Sequence, residues 1–471
     1  MRSLIATFVR RASIVFAYTR KSGAAITTAV AAAFFLAACQ STPVNDETAP
    51  LPATGPDDEV TAASFEVWAL DQADTVDDGG GLLYIWNGDE LGSGAPPDAT
   101  AELIDLGAAA EAAGCELAQR PHMVLPNNST PPTHMIISNV ASGDTHFMDI
   151  ETREITGCVN TAEGFEGAGG SHAAHASVAS PDDSFVIVAD MNHGDDSGYL
   201  HKIQTDFSSD AYELTETLAL EDYAAELESD FVRPICHEFT SDGRFAYVTL
   251  AQGGLVIVDT GTADGSTPME VVQVHPADTM PGSGCGAFPV SDDLMLTNGE
   301  SGASGGDDFL FFHDTSGVND GAFPEPFTLE LPGEDTHGTA FCTDEDEREY
   351  ALTFMRVSND INVIDIEARD VVATESMATE FSPNPAPDLA YLRDGKVFVS
   401  LRGAEPLTAI TSLVDGDRTP GVAILTVSDD CRAFTWTEDD LLVMEDNPNT
   451  VDIDGSGVSA ADPHGLAVIE R

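Results

Sequence analysis

The chain has 471 residues, with 81 Asp and Glu against 19 Lys and Arg, giving a formal charge of −62. Such a surface repels a phosphate backbone and excludes nucleic-acid binding. A hydrophobic content of 42% with 23 Phe supplies a core and excludes disorder throughout.

Arg10, Arg11, Arg20 and Lys21 precede an apolar run from Ala24 to Ala38 that ends in Leu36-Ala37-Ala38-Cys39. A basic region, an apolar region and small residues before a cleavage point describe a secretory signal over residues 1–38. The tetrapeptide resembles a bacterial lipobox, which implies lipidation of Cys39 and anchoring in a membrane. Gln40 stands where Asp would direct retention in the inner membrane. The expected address is therefore the outer membrane, on its periplasmic face. Residues 39–63 are rich in Pro, Thr and acids with no hydrophobic period, and read as a flexible tether.

From Ser64 onward the pattern is short and β-rich. Ser64–Leu70, Leu82–Trp86 and Ala101–Leu106 read as strands, and Leu106–Ala113 and Leu220–Glu228 suit short helices. The clearest unit runs Arg233–Thr240, Phe245–Leu250 and Leu255–Asp259, with turns at Ser241-Asp242-Gly243 and Gln252-Gly253-Gly254. Its third run recurs as Gly81–Trp86, Thr145–Ile150, Tyr199–Ile203, Phe309–His313, Ile361–Ile366 and Val422–Val427, which makes seven copies. The turn acids Asp182, Asp242, Asp292, Asp344 and Asp394 are 60, 50, 52 and 50 residues apart. That period, with four short strands per unit, marks propeller blades. The C-terminal Pro463–Ile469 reads as an inner strand whose blade lies at the other end of the chain. Pairing it with Ser64–Leu70 closes the ring. Residues 64–471 are thus expected to form an all-β, seven-bladed β-propeller.

Six cysteines follow Cys39, an even number suited to disulfides in an oxidising compartment. The repeat puts Cys115–Cys158 and Cys236–Cys285 on neighbouring elements, and Cys342–Cys431 remains by elimination. No CxxC or CxxCH occurs, which removes covalent haem and a redox pair. The Gly-rich Asn298–Gly306 lacks Lys and opens no helix, which removes a nucleotide cradle.

Pro234–Thr249, with its Ser-Asp-Gly-Arg and Tyr-Val-Thr, followed by Gly254-Leu-Val-Ile-Val-Asp, resembles the YVTN-type seven-bladed propellers of bacterial surface and periplasmic proteins. The resemblance implies the fold but no single function.

Several of the 12 histidines fall where an inner strand begins: His122, His172, His175, His237, His337 and His464. Equivalent positions in successive blades form a ring around one channel, able to offer imidazole nitrogens to Zn or Cu. The layout is similar to the hub histidines of the nitrous oxide reductase propeller and, more loosely, to periplasmic zinc-chaperone propellers. The bland alternative is packing and hydrogen bonding between blades. Asp452, Asp454 and Ser456, with Gly457, have the 1, 3, 5, 6 spacing of a calcium loop, although position 12 is Pro463 rather than Glu. Gly169-Gly170-Ser171-His172 is no nucleophile elbow. The expected function is binding rather than catalysis, with a metal in the histidine ring. The rivals are a scaffold for another envelope protein and a calcium-dependent hydrolase with Glu238, Asp388 and Asn298 at the channel.

Overall fold

The computed structural model describes residues 64–75, 80–91, 99–116, 119–161, 173–192, 197–230, 232–284, 286–300, 307–404, 406–407, 418–444, 450–451, 457–458 and 461–471. Among the described residues, seven antiparallel sheets form the blades, and a small eighth sheet pairs Asp74–Thr75, Thr450–Val451 and Gly457–Val458. Blade 1 joins Phe65–Asp71, Leu82–Asn87 and Glu102–Asp105 to the C-terminal Pro463–Glu470, which takes the inner place. Blades 2 to 7 begin with the inner strands Pro121–Pro126, Ala174–Ala179, Pro234–Phe239, Ala287–Ser291, Thr336–Thr343 and Pro387–Arg393. The all-β, seven-bladed propeller closed by its two ends is thus the observed fold, with Val67 opposite Val468 and Ala69 opposite Leu466 in the closing ladder.

Burial falls from the hub outward. Ala174–Ala179 and Phe185–Asp190 of blade 3 are buried throughout, whereas its outer strand Ala211–Ala219 is mostly half-exposed or exposed. The inner strands are covered on both faces by neighbouring blades, which explains their unbroken apolar runs. Seven hydrophobic clusters result, one for each interface between blades. The interface of blades 7 and 1 is built like the others, with Phe398, Val422 and Ile424 against Val67, Ala69 and Leu466. Among the described residues, no ring edge is left unpaired.

The turn acids that set the period act locally. The Asp242 carboxylate accepts the Arg244 N–H and the Thr240 hydroxyl, and Asp182 accepts from Ser184 and Ser180 in the same way. These are Asx-type turns, for which a carboxylate one residue into the turn is well suited. Much of the negative charge therefore sits on the hairpin tips.

Leu106–Ala113 is helical, capped by Asp105 at its start and by left-handed Gly114 at its end. Leu220–Glu228 is helical only as a 3₁₀ turn at Glu221–Tyr223. Leu220 and Leu227 both drop into the core between blades 3 and 4.

Cys115–Cys158 and Cys342–Cys431 are disulfides. Cys236 is a buried free thiol rather than a partner of Cys285, which lies outside the described residues. The Cys342–Cys431 bridge closes a separation of 89 residues and ties blade 6 to blade 7. Replacing both with Ser is expected to lower stability by about 2–5 kcal/mol, read as the shift in a urea midpoint against the intact protein.

Candidate functional site

Each blade brings two positions to one end of the channel. The first is the start of the inner strand. There the ladder with the second strand slips: between Pro121 and Met123, between Thr336 and Thr339, between Pro387 and Ala390, and between Ala69 and Asp71 opposite Pro463 and Leu466. A bulge places one extra residue out of the ladder and re-aims its side chain. The residues re-aimed are His122, His337, Asp388 and His464, and His175 is the skipped residue of blade 3. The glycines that follow two of them allow close approach. A Cβ on Gly338 would meet the Asp388 carbonyl at 2.2 Å, and one on Gly465 would meet the His122 carbonyl at 2.7 Å.

The second position directly follows the second strand. Gln72, Glu300, Arg356 and Arg402 occupy it in blades 1, 5, 6 and 7, and all are buried. Asp335 and Asp462, each one residue ahead of an inner strand, complete the polar layer.

Two bidentate ion pairs frame the site. The Arg402 Nε and Nη2 donate to Asp462 at 2.9 and 2.7 Å, and the Arg356 Nε and Nη2 donate to Asp335 at 3.0 and 2.9 Å. Arg356 also donates to Glu300 at 2.7 Å. Asp388 lies between the two guanidiniums, 3.1 Å from Arg402 and 3.8 Å from Arg356. Burial alone would raise the Asp388 carboxyl, but His337, His464 and Arg356 beside it hold it well below the usual carboxylate range. Two guanidiniums thus face four carboxyl groups, Glu300, Asp335, Asp388 and Asp462, in a buried space, and a hydrogen bond joins the Glu300 and Asp335 side chains, so that pair shares a proton.

The histidines complete the constellation. His337 Nε2 lies 2.8 Å from Asp388 Oδ1, and His464 Nε2 lies 3.7 Å from Asp388 Oδ2. Ligand atoms of the three residues lie within 4.8 Å of one another. His464 Nδ1 is 3.1 Å from the His122 carbonyl. A carbonyl only accepts, so Nδ1 carries the proton and Nε2 keeps its lone pair when the ring is neutral. The ring is neutral: burial first, with Arg402 and His337 adding to it against Asp388, lowers His464 well below 6.5.

A directional chain of hydrogen bonds continues from there. Gln72 Nε2 donates to Asp462 at 3.2 Å, which turns Gln72 Oε1 towards His122 Nδ1 at 2.7 Å. His122 must then donate from Nδ1 and accept at Nε2, where His175 Nε2 approaches to 3.0 Å. His175 Nδ1, left as an acceptor, faces the Cys236 Sγ at 3.8 Å. Burial, then His464 and His175, holds His122 well below 6.5.

Of the six histidines expected at the site, His122, His175, His337 and His464 come together there. His172 lies outside the described residues, as do Asp452, Asp454 and Ser456 of the calcium reading and Cys39. His237 is misplaced by the sequence reading. The bulge in blade 4 skips Ile235 and Cys236, so Cys236 faces His175, and the His237 ring packs on Phe239 with centroids 5.6 Å apart. Asp388 belongs to the site as a candidate ligand. It follows Pro387 just as His122 follows Pro121 and His464 follows Pro463, and that Pro-X signal marks it. His134, His201 and His313 are held by Asp210, Asp190 and Thr297 in later strands, as structural histidines.

Burial lowers three histidines outside the site: His237 and His313 to about 3, and His146 to about 4. In the unfolded chain they titrate near 6.5, so below that value only the unfolded chain takes up the protons. Stability is therefore complete above 6.5 and falls with pH towards the folded values, on the order of 1 kcal/mol per residue per pH unit. Glu238, raised by burial to about 7, and Asp144, raised by burial to about 6, work in the opposite direction as two groups against three. The urea midpoint is expected to drop between pH 6.5 and 4, and His237→Phe to remove part of that slope.

No family model matches the chain, and no curated protein matches it. Among solved structures it is similar to the periplasmic gluconolactonase of Pseudomonas aeruginosa, at 10% identity over 86% of this chain and 99% of that one, with a TM-score of 0.52. It is also similar to the dihydro-heme d1 dehydrogenase NirN in complex with DHE, at 10% identity over 85% of this chain and 74% of that one, with a TM-score of 0.51. At such identities the likeness is one of fold, and the chain stands as a seven-bladed β-propeller.

Proposed function

We propose that this propeller is a metal-binding protein that takes one divalent transition metal, Zn or Cu, between His337, Asp388 and His464. The observation that carries the reading is the His464 Nε2 lone pair facing an ionised Asp388 oxygen at 3.7 Å. Two donors repel each other there, and a cation between them turns repulsion into coordination. Donors about 2.1 Å from a tetrahedral ion are about 3.4 Å apart, close to this spacing. Asp388 can serve metal and guanidinium together, because an ionised carboxylate has about four acceptor sites. The His464 Nδ1 to His122 carbonyl bond fixes the ring as metal-ligating histidines are commonly fixed. His337 joins by giving up its Nε2 proton, with Glu300 Oε2 3.7 Å from Nδ1 to orient the other tautomer.

The role is binding, delivery or storage rather than catalysis. The lipobox-like Leu36–Cys39 supports a lipid anchor at the periplasmic face of the outer membrane, and the Pro234–Thr249 pattern supports a YVTN-type propeller. Elemental analysis of purified protein is expected to show zinc or copper near one per chain, or tight uptake of one equivalent after chelation. Neither metal and no uptake would defeat the reading and leave the scaffold role.

A further inference from the structure

The channel continues away from the histidines and changes character. Beyond Cys236 and Gly338 it is a cavity of about 390 Å³ lined by Met123, Val178, Ala287, Phe288, Phe341 and Leu389. A second cavity of about 440 Å³ forms the opposite mouth, bounded by Pro126, Pro181, Val290 and Met295. The two share Leu125, Val178, Glu238, Pro289 and Tyr391, so they are one passage that opens at the far face. Each part has the volume of a small-molecule site.

One acid stands at the joint. Glu238, in the inner strand of blade 4, lines both cavities, and Phe239 N–H donates to its Oε2 at 3.2 Å. Of the other lining side chains, only Asp292 at the mouth is acidic, and neither lining contains Lys or Arg. His237 is neutral, as its lowered value requires. Glu238 also raises the Tyr391 hydroxyl, after burial, so carboxylate and phenol share one low-dielectric space. A carboxylate so placed has few protein partners to offset its lost hydration. An anion entering this passage meets only like charge, and the chain's −62 repels it further.

We infer that this passage is a binding site for an amphiphilic cation, with the apolar body in the 390 Å³ cavity and an ammonium head against Glu238. The site is separate from the metal centre at the other end and does not depend on it. A fully apolar ligand would leave the carboxylate unpaired, whereas a cationic head neutralises it while the alkyl body displaces water from Phe288, Phe341 and Leu389.

The test is calorimetric titration at mildly alkaline pH with three probes of equal chain length: octyltrimethylammonium, octanol and octanoate. The ammonium probe is expected to bind about tenfold or more tighter than octanol, with octanoate weakest, since a tenfold ratio is the effect of one modest charge pair. Glu238→Gln keeps the side-chain shape and is expected to remove the preference while octanol binding persists. Ala287→Phe, checked for an unchanged melting midpoint, is expected to weaken ammonium and octanol alike by filling the passage. Equal affinity for the three probes, no binding by any, or an ammonium preference that survives Glu238→Gln overturns the proposal. Repeating the titration on chelator-stripped protein keeps its outcome apart from that of the metal reading.

Discussion

Chelator-stripped protein is expected to take up one equivalent of zinc or copper, and His464→Ala to weaken that uptake by at least about a hundredfold. The size follows from what His464 supplies. It is a neutral imidazole held by the His122 carbonyl, so its donor nitrogen is aimed before the metal arrives. Losing an oriented ligand costs more than losing a mobile one, since even the partners that merely orient a ligand are worth about 10–100-fold. Asp388→Asn should weaken uptake comparably by removing the charge, and His337→Ala should do likewise. His237→Ala serves as the control, because that ring packs on Phe239, and its uptake should match the unsubstituted protein. The His337 Nε2 proton facing Asp388 Oδ1 at 2.8 Å must move to Nδ1 as the metal enters, so uptake by neutral imidazoles is expected to release no net proton, which titration in buffers of different ionisation enthalpy measures. Full uptake by His464→Ala would reject the three-residue centre, and the site would have to be rebuilt around His122 and His175.

How far the sequence reaches this site depends on which structural feature places each residue. The blades are readable because Asp182, Asp242 and Asp344 recur at turns where a carboxylate caps the backbone, and because the strands between them are continuous apolar runs. Ring closure is readable because Leu466–Ile469 would otherwise be an apolar strand without a partner. The histidine ring is half readable. Pro121-His122 and Pro463-His464 announce inner strands, yet His237 looks equivalent and is not. Ile235, not His237, follows Pro234, and with Ile235 and Cys236 skipped by the bulge His237 falls two residues past the place that His122, Asp388 and His464 hold. Asp388 escapes a search for histidines although it holds the same place in its blade. Arg356 and Arg402 are hidden differently: each follows a buried second strand, after Met355 and Leu401, where a charge reads as the first residue of a solvated loop. Only the convergence of seven blades turns those loop positions inward.

Arg402→Ala is expected to destabilise the protein by about 3–5 kcal/mol, the usual cost of stranding a buried charge. Arg402 is fully buried and satisfies both oxygens of Asp462, while Nη1 reaches Asp388. Its removal leaves one guanidinium beside the same four carboxyl groups, so the network loses a positive charge. Arg402→Lys should recover only part of the loss, because an ammonium restores charge but cannot make the planar two-point contact with Asp462. Pairing Arg402→Ala with Asp462→Ala in a double-mutant cycle should show strong coupling, since the two residues share their hydrogen bonds. The metal reading adds a constraint that a purely structural network would not obey. If a divalent ion neutralises this space, saturating metal at about a hundred times its dissociation constant should stabilise the unsubstituted protein by about 2.7 kcal/mol. Arg402→Ala should gain at least as much, because the cation enters a more negative site with His337, Asp388 and His464 still in place. Urea midpoints of both proteins, with and without zinc, measure this. A metal effect that vanishes in Arg402→Ala, with the fold intact by circular dichroism, would mean that Arg402 holds the ligands in position rather than merely balancing their charge.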